Sequence, residues 1–184
     1  MLQAKLEDEV LPYIFLADNE GNEETMQTLR LAEVRRSEIF KDVIKLYSDP
    51  SIILCKLSVR FRGESGLDFG GLTADMFSTF WGAAFNSLFE GDVVKVPNVP
   101  SQSMAQAKEQ FCVVGRIISH EFLLNKKIPV QFCEASFTAA LHGEDAVDDD
   151  TLTRSFMLYL TQFERDATNA VMSDATSSDL KQEC

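Results

Sequence analysis

The feature that most constrains this fold is a change of hydrophobic period that leads directly into a glycine-rich loop. Apolar and polar residues alternate from 54 to 62, which predicts a strand with one buried and one wet face. Four of the next nine residues, GESGLDFGG, are glycines, and glycine permits positive φ and close backbone approach. Apolar residues then recur at helical spacing over a wide arc to Leu88, which predicts a central helix. We therefore expect a strand, a tight loop and a core helix in succession.

The loop sequence favours a structural turn over a phosphate site. It contains neither of the two common phosphate-binding glycine patterns, and Glu64 and Asp68 would repel an anion. Both carboxylates can instead accept hydrogen bonds from loop amides and from bases such as Arg60, Arg62 or Arg116. Asp68 also lies near the expected start of the next helix, where negative charge is favourable.

The remaining periodicities predict a predominantly helical α+β fold with short strands at about 54–62 and 93–96. Four further helices are expected: one after Ser37 as N-cap, one from Ser101 or Ser103 to about Asn125, a short one near Phe137, and a last one over 152–163.

The net negative charge of the chain comes from its two ends. Residues 1–26 hold seven acids and one base, and residues 144–184 hold ten acids and three bases. We expect an acidic extension over 1–33, with a short apolar segment at 11–16 that docks on the domain and then a loop. The domain itself is expected over 34–165, followed by a disordered acidic tail over 166–184.

The net charge of −12 disfavours nucleic acid as a partner, since phosphate binding needs a clustered basic surface. No secretory signal or bilayer-length apolar run is present in the sequence. We expect a soluble protein of the cytoplasm or nucleus, with no membrane partner.

The cysteines and histidines predict neither a metal site nor a cofactor. Cysteines at 55, 112, 133 and 184 lack the spacing of zinc ligands. We expect the first three to be small buried hydrophobes. His120 and His142 are expected at a helix surface or a helix end. No catalytic residue is assigned, and a small thiol enzyme is disfavoured because no cysteine has a basic activator beside it in sequence.

The strand and the glycine loop, with segments on either side of them, resemble the HECT domain of ubiquitin ligases. The family's Phe-x-Gly-Glu-x-Gly-x-Asp-x-Gly-Gly pattern is complete here, at Phe61, Gly63, Glu64, Gly66, Asp68, Gly70 and Gly71. Collinear segments follow, among them FCVVGR, which ends at Arg116, and residues 128–143. The family's next Arg-Glu pair is replaced by Ala74 and Asp75, which should weaken one polar contact of the loop. The resemblance covers about residues 34–165.

This resemblance implies the large subdomain of a HECT N-terminal lobe. In that family a cysteine of the C-terminal lobe accepts ubiquitin from a conjugating enzyme, and no cysteine here has its Thr-Cys-Phe context. The implied partners are ubiquitin and the conjugating enzyme in the intact ligase, with this chain inactive alone. The alternative is a non-catalytic interaction module. Its contact would lie at 151–163, whose large apolar residues also fit a core: Phe156, Tyr159, Leu160 and Phe163.

Overall fold

The computed structural model describes residues 28–99 and 103–179. Its strands are β1 (Thr28–Val34), β2 (Cys55–Phe61), β3 (Phe89–Glu90) and β4 (Val96–Pro97). Its α-helices are α1 (Ile39–Leu46), α2 (Gly71–Ser87), α3 (Met104–Asn125), α4 (Glu134–His142), α5 (Asp149–Tyr159) and α6 (Gln162–Asp179). The predicted α+β class with mostly helical content is confirmed.

The chain divides into two compact units. The first unit comprises Met1–Leu88 and Val99–Pro129, and the second comprises Phe89–Asn98 and Val130–Cys184. No helix among residues 28–99 and 103–179 is long and apolar enough to cross a bilayer.

The first unit contains a two-stranded parallel sheet. β1 pairs with β2 in a register that runs from Thr28 opposite Cys55 to Val34 opposite Phe61. The strand predicted at 54–62 is therefore present as β2. β1 corrects the expected boundary of the acidic extension, because a strand occupies 28–34. The sequence of β1 shows no alternation of apolar and polar residues, because leucines also occupy positions that face outward.

The core of the first unit is rich in aromatic side chains. Helix α2 is the central helix that the sequence predicts, with Phe77 and Phe80 fully buried. Phe80 meets Trp81 edge to face and Phe40 of α1 in a stacked arrangement. Such ring pairs add stabilisation beyond their buried area.

The start of α1 differs from the expectation. Ser37 lies inside a 3-10 turn, Arg36–Glu38, and α1 begins at Ile39. The carboxylate of Asp42 accepts the backbone N–H of Arg35 at 2.9 Å, and Nε and Nη2 of the same arginine at 2.9 and 2.6 Å. A carboxylate in the first turn of α1 thus satisfies the amide of Arg35, and Ser37 is not the N-cap residue of this helix.

The second unit holds β3 and β4, paired antiparallel. The strand predicted at 93–96 is wrong in its extent, because β4 is only Val96–Pro97. The N–H groups of Val93 and Val94 instead donate to the carbonyl of Leu158 near the end of α5. Helix ends leave such carbonyls without partners in their own helix.

The helix predicted over 152–163 is two helices, and the tail does not follow the expectation. Leu160 is extended, and α6 begins at Gln162 and continues to Asp179. Thr161 and Glu164 form a capping box, with the N–H and hydroxyl of Thr161 donating to the Glu164 carboxylate at 2.9 and 2.7 Å. This T-x-x-E signal starts a helix where we expected a disordered tail over 166–184. The apolar segment at 11–16 and residues 180–184 lie outside the described residues.

Candidate functional site

The glycine loop between β2 and α2 is a compact turn. Gly63 and Gly70 have φ of 87° and 97°, a region that L side chains rarely adopt. The turn is closed by the N–H of Glu64, which donates to the carbonyl of Phe61 at 3.1 Å. Gly70 is the N-cap residue of α2. These two glycines let the chain reverse and enter the helix without strain.

Asp68 joins the strand, the loop and the helix. Its Oδ1 accepts the N–H groups of Gly70, Leu72 and Thr73 at 2.8, 3.1 and 3.3 Å. Its Oδ2 accepts the N–H of Val59 at 2.7 Å and the Thr73 hydroxyl at 2.5 Å. Partial burial pushes the pKa of Asp68 up, but the hydrogen bonds from Thr73 and the backbone outweigh it and leave that pKa lowered. The predicted role of this carboxylate in binding loop amides is confirmed.

Glu64 has a partner that the sequence did not suggest. Arg36 donates to its carboxylate through Nε and Nη2 at 2.6 and 3.1 Å, and Nη2 also donates to Asp75 at 2.6 Å. The same guanidinium lies 3.9 Å over the ring of Phe61. The hydrogen bond from Arg36 lowers the pKa of Asp75.

This arrangement corrects two expectations. The base on Glu64 is Arg36 rather than Arg60, Arg62 or Arg116. The Ala74–Asp75 departure does not cost the loop a polar contact, since Asp75 binds the same arginine. Arg36 was missed because it lies 28 residues before Glu64 in sequence, and only the parallel pairing of β1 with β2 brings it to the loop.

Arg116 lies away from the loop. Its Nη1 donates to the carbonyl of Tyr47 at 3.3 Å, so it ties α3 to the C-terminal end of α1. The structure therefore brings together the motif residues from Phe61 to Gly71 but not Arg116.

The inward position of Asp68 turns its neighbours outward. Leu67 is 82% exposed and Phe69 is 92% exposed. The loop thus combines a rigid polar base with two apolar side chains in solvent. The two loop carboxylates are engaged by backbone N–H groups, the Thr73 hydroxyl and Arg36, so their hydrogen bonds hold the backbone.

His120 is a buried core residue, which corrects its expected place at a helix surface or end. Its Nε2 lies 2.9 Å from the carbonyl of Cys55, and its Nδ1 lies 2.8 Å from the hydroxyl of Tyr47. A carbonyl only accepts, so Nε2 carries the proton and Nδ1 accepts from Tyr47. Burial lowers the pKa of His120 to about 4. His142 is the last residue of α4 and is exposed, as expected.

The neighbouring Glu121 is also buried and was not singled out from the sequence. Trp81 Nε1 donates to its Oε2 at 2.5 Å. Burial raises the pKa of Glu121, against the opposite effects of the Trp81 hydrogen bond and the charge of Lys127. The only tryptophan of the chain thus supplies a partner for a buried carboxyl, which is the usual requirement for burying one.

The three cysteines within the described ranges are free thiols that differ in burial. Cys55 and Cys133 are buried as predicted, and Cys112 is half-buried, which corrects the expectation for that residue. Cys112 lines a cleft of about 310 Å³ with Lys108 and Arg116 among its walls. Helical spacing of four residues places both bases beside the thiol. Within the described ranges no group of three or more metal-ligating side chains is found.

Two large apolar residues of the segment 151–163 are too exposed to be core residues. Phe156 is 49% exposed and Phe163 is 83% exposed. Tyr159 packs against the small cluster of Val94, Cys133 and Ala135, and its hydroxyl donates to Glu90 at 3.1 Å. The two phenylalanines were expected to be core and are not, whereas Tyr159 is half-buried.

Comparison with known proteins gives a partial likeness. No family model matches the chain. Over 63 residues, 33% of this chain, it is 36% identical to a bifunctional serine/threonine-protein kinase/NEDD4-like E3 ubiquitin-protein ligase of Dictyostelium discoideum. The match covers 3% of that relative's length. This likeness indicates a ubiquitin-ligase-related region.

Proposed function

We propose that this chain is scaffold from a HECT-type ubiquitin ligase, the large subdomain of its N-terminal lobe. The observation that carries the proposal is the complete glycine-loop pattern, in which Asp68 accepts five hydrogen bonds from β2, the loop and α2. The likeness to a NEDD4-like ligase supports it. We place the scaffold at 28–165, because β1 pairs along the whole length of β2.

In this proposal the chain supports transfer without performing it. Ubiquitin transfer needs an accessible thiolate, and that group belongs to a catalytic lobe of the intact ligase. Ubiquitin and the conjugating enzyme are partners of that intact ligase, in the cytoplasm or nucleus. The loop itself acts as a folding device that fixes the angle between β2 and α2, and it requires no cofactor.

A charging assay tests this role. The purified chain is incubated with ubiquitin-charged conjugating enzyme and resolved without reducing agent, beside an active NEDD4-like ligase as positive control. We expect no adduct that a reducing agent removes. A thioester on the half-buried Cys112 that disappears in Cys112→Ser would overturn the proposal.

A second function, a non-catalytic interaction module, is favoured by the exposed apolar side chains of α5 and α6. Leu152 and Phe156 are 55% and 49% exposed, and Phe163 is 83% exposed. Exposed aromatic residues are the usual anchors of protein interfaces.

Cross-linking in extract of the source cells tests this alternative. The wild type should give a discrete complex that the double variant Phe156→Ser/Phe163→Ser loses. Val130→Ser, at a residue 94% exposed, is the matched control and should keep it. No complex with the wild type, or equal complexes with all three proteins, would contradict this function.

A further inference from the structure

The outer face of the β1–β2 sheet is apolar and open to solvent. Leu29 and Leu31 are 68% and 66% exposed, and both project from β1 on the side opposite to the buried Ala32 and Val34. The register places Leu29 beside Lys56, Leu31 beside Ser58 and Glu33 beside Arg60 on the same face.

A parallel sheet of this kind needs a cover. Parallel sheets occur almost always with both faces packed, and two strands alone are marginal in water. The inner face of this sheet is packed, since Val59 and Phe61 are 2% and 1% exposed. The two leucines of the outer face therefore mark a position at which another apolar segment adds stability.

We propose that residues 10–16 of the same chain, VLPYIFL, cover this outer face. The segment is apolar throughout and supplies two aromatic rings of the size that buries a leucine pair. This inference stands independently of the proposed function, since it concerns only how the scaffold closes its own sheet.

The connection to β1 is long enough. Residues 17–27 join the segment to Thr28, and eleven extended residues span at most about 36–40 Å. A seven-residue strand is only about 23 Å long, so the segment can reach any part of the face. A tether of this length also holds the segment at a high effective concentration.

The charges that flank residues 10–16 are opposite in sign to the bases on the outer face of the sheet. Acidic residues flank the segment on both sides, with Glu7, Asp8 and Glu9 before it and Asp18 after it. The outer face carries the exposed bases Lys56 and Arg60, which form no ion pair within the ranges that the structure describes. Opposite charges at the rim favour one orientation of a docked segment.

Thiol labelling of the full chain tests the proposal. Ser58→Cys places a reporter beside Leu31 without removing either leucine, and its alkylation rate is read by peptide mass mapping. Breaking the segment with Tyr13→Ser/Phe15→Ser should raise that rate about tenfold or more, because local opening then costs less free energy. Val171→Cys, at a residue 70% exposed on α6, should label at one rate in both backgrounds.

Each other outcome would overturn the proposal. If the thiol at 58 labels equally fast with the intact and the broken segment, residues 10–16 do not cover the face. If protection survives the broken segment and rises with protein concentration, a second copy of the chain is the cover. If Val171→Cys changes in parallel, the segment acts on the whole fold and not on this face.

Discussion

The two units differ in how many large apolar side chains they bury. Every fully buried large side chain of the described residues belongs to the first unit, from Val34 to His120, although its glycine loop and β1 also carry exposed apolar side chains. In the described part of the second unit, Phe89 is buried, and a small cluster of Val94, Cys133 and Ala135 has four partly buried neighbours. Phe163 and Val171 lie in solvent. Among the described residues, the first unit therefore has the larger core.

The largest expected difference in stability between the two units comes from truncating one phenylalanine in each. Phe80→Ala in the first unit should lower the free energy of unfolding by about 3–5 kcal/mol, because a buried ring leaves a cavity. Phe163→Ala in the second unit should change it by less than about 0.5 kcal/mol. Urea unfolding followed by circular dichroism measures both. Equal losses of unfolding free energy in the two variants would show that the two phenylalanines are not buried to different extents.

The pH dependence of stability provides a second test. The pKa of His120 is about 4 in the folded chain and about 6.5 in the unfolded chain. Between these values the unfolded state binds more protons, so stability is full above pH 6.5 and is lost as the pH falls towards 4. The loss is about 3 kcal/mol.

His120→Gln isolates this contribution, and its unfolding is compared with the wild type from pH 4 to 7. The difference between the two proteins should shrink as the pH falls. Glu121 and Tyr47, whose pKa values are both raised by burial, are present in both proteins and cancel. A difference independent of pH would mean that His120 is not held neutral by burial.

The next largest effect on stability is expected from Asp68 in the glycine loop of the first unit. Asp68→Ala removes the shared acceptor of five donors and should cost about 2–3 kcal/mol. Asp145→Asn, at an exposed carboxylate of the second unit, is the control and should cost less than about 0.5 kcal/mol. Thermal unfolding of both variants measures this. A neutral Asp68→Ala would show that the glycines alone hold the turn.

The smallest expected effect is a gain. Lys126 ends α3 in the left-handed region, at φ 54°, where an L side chain costs about 1 kcal/mol. Lys126→Gly should therefore stabilise the chain by up to about 1 kcal/mol, less the weak contact of its ammonium with Phe122 at 5.5 Å. Lys127→Gly, one residue beyond, should give no gain. Equal effects at both positions would exclude conformational strain as the cause.

Local sequence patterns predicted the parts of this molecule that are local in structure. The alternation of β2, the arc of α2 and the amide-binding role of Asp68 all depend on residues within a few positions of one another. The sequence missed what distant pairing creates. Arg36 reaches Glu64 only because β1 and β2 lie side by side, and His120 is buried only because Tyr47 and Cys55 surround it.

The second unit was harder to predict because it has little core. The short strand at 93–96 and the single helix at 152–163 both rested on apolar runs, and these runs are partly solvent-exposed. The helix start at Gln162 depends on a capping box, for which the T-x-x-E pattern is the local sequence signal. The sequence alone does not separate an exposed apolar residue such as Phe163 from a core residue.

A graft into an active ligase tests the scaffold account most directly. Residues 55–88 of this chain, the strand, loop and central helix, replace the corresponding segment of an active NEDD4-like ligase, and self-ubiquitination is followed on gels. The account predicts that the grafted ligase remains active and that the same graft with Asp68→Ala loses most of its activity. An inactive graft, or one indifferent to Asp68→Ala, would contradict it.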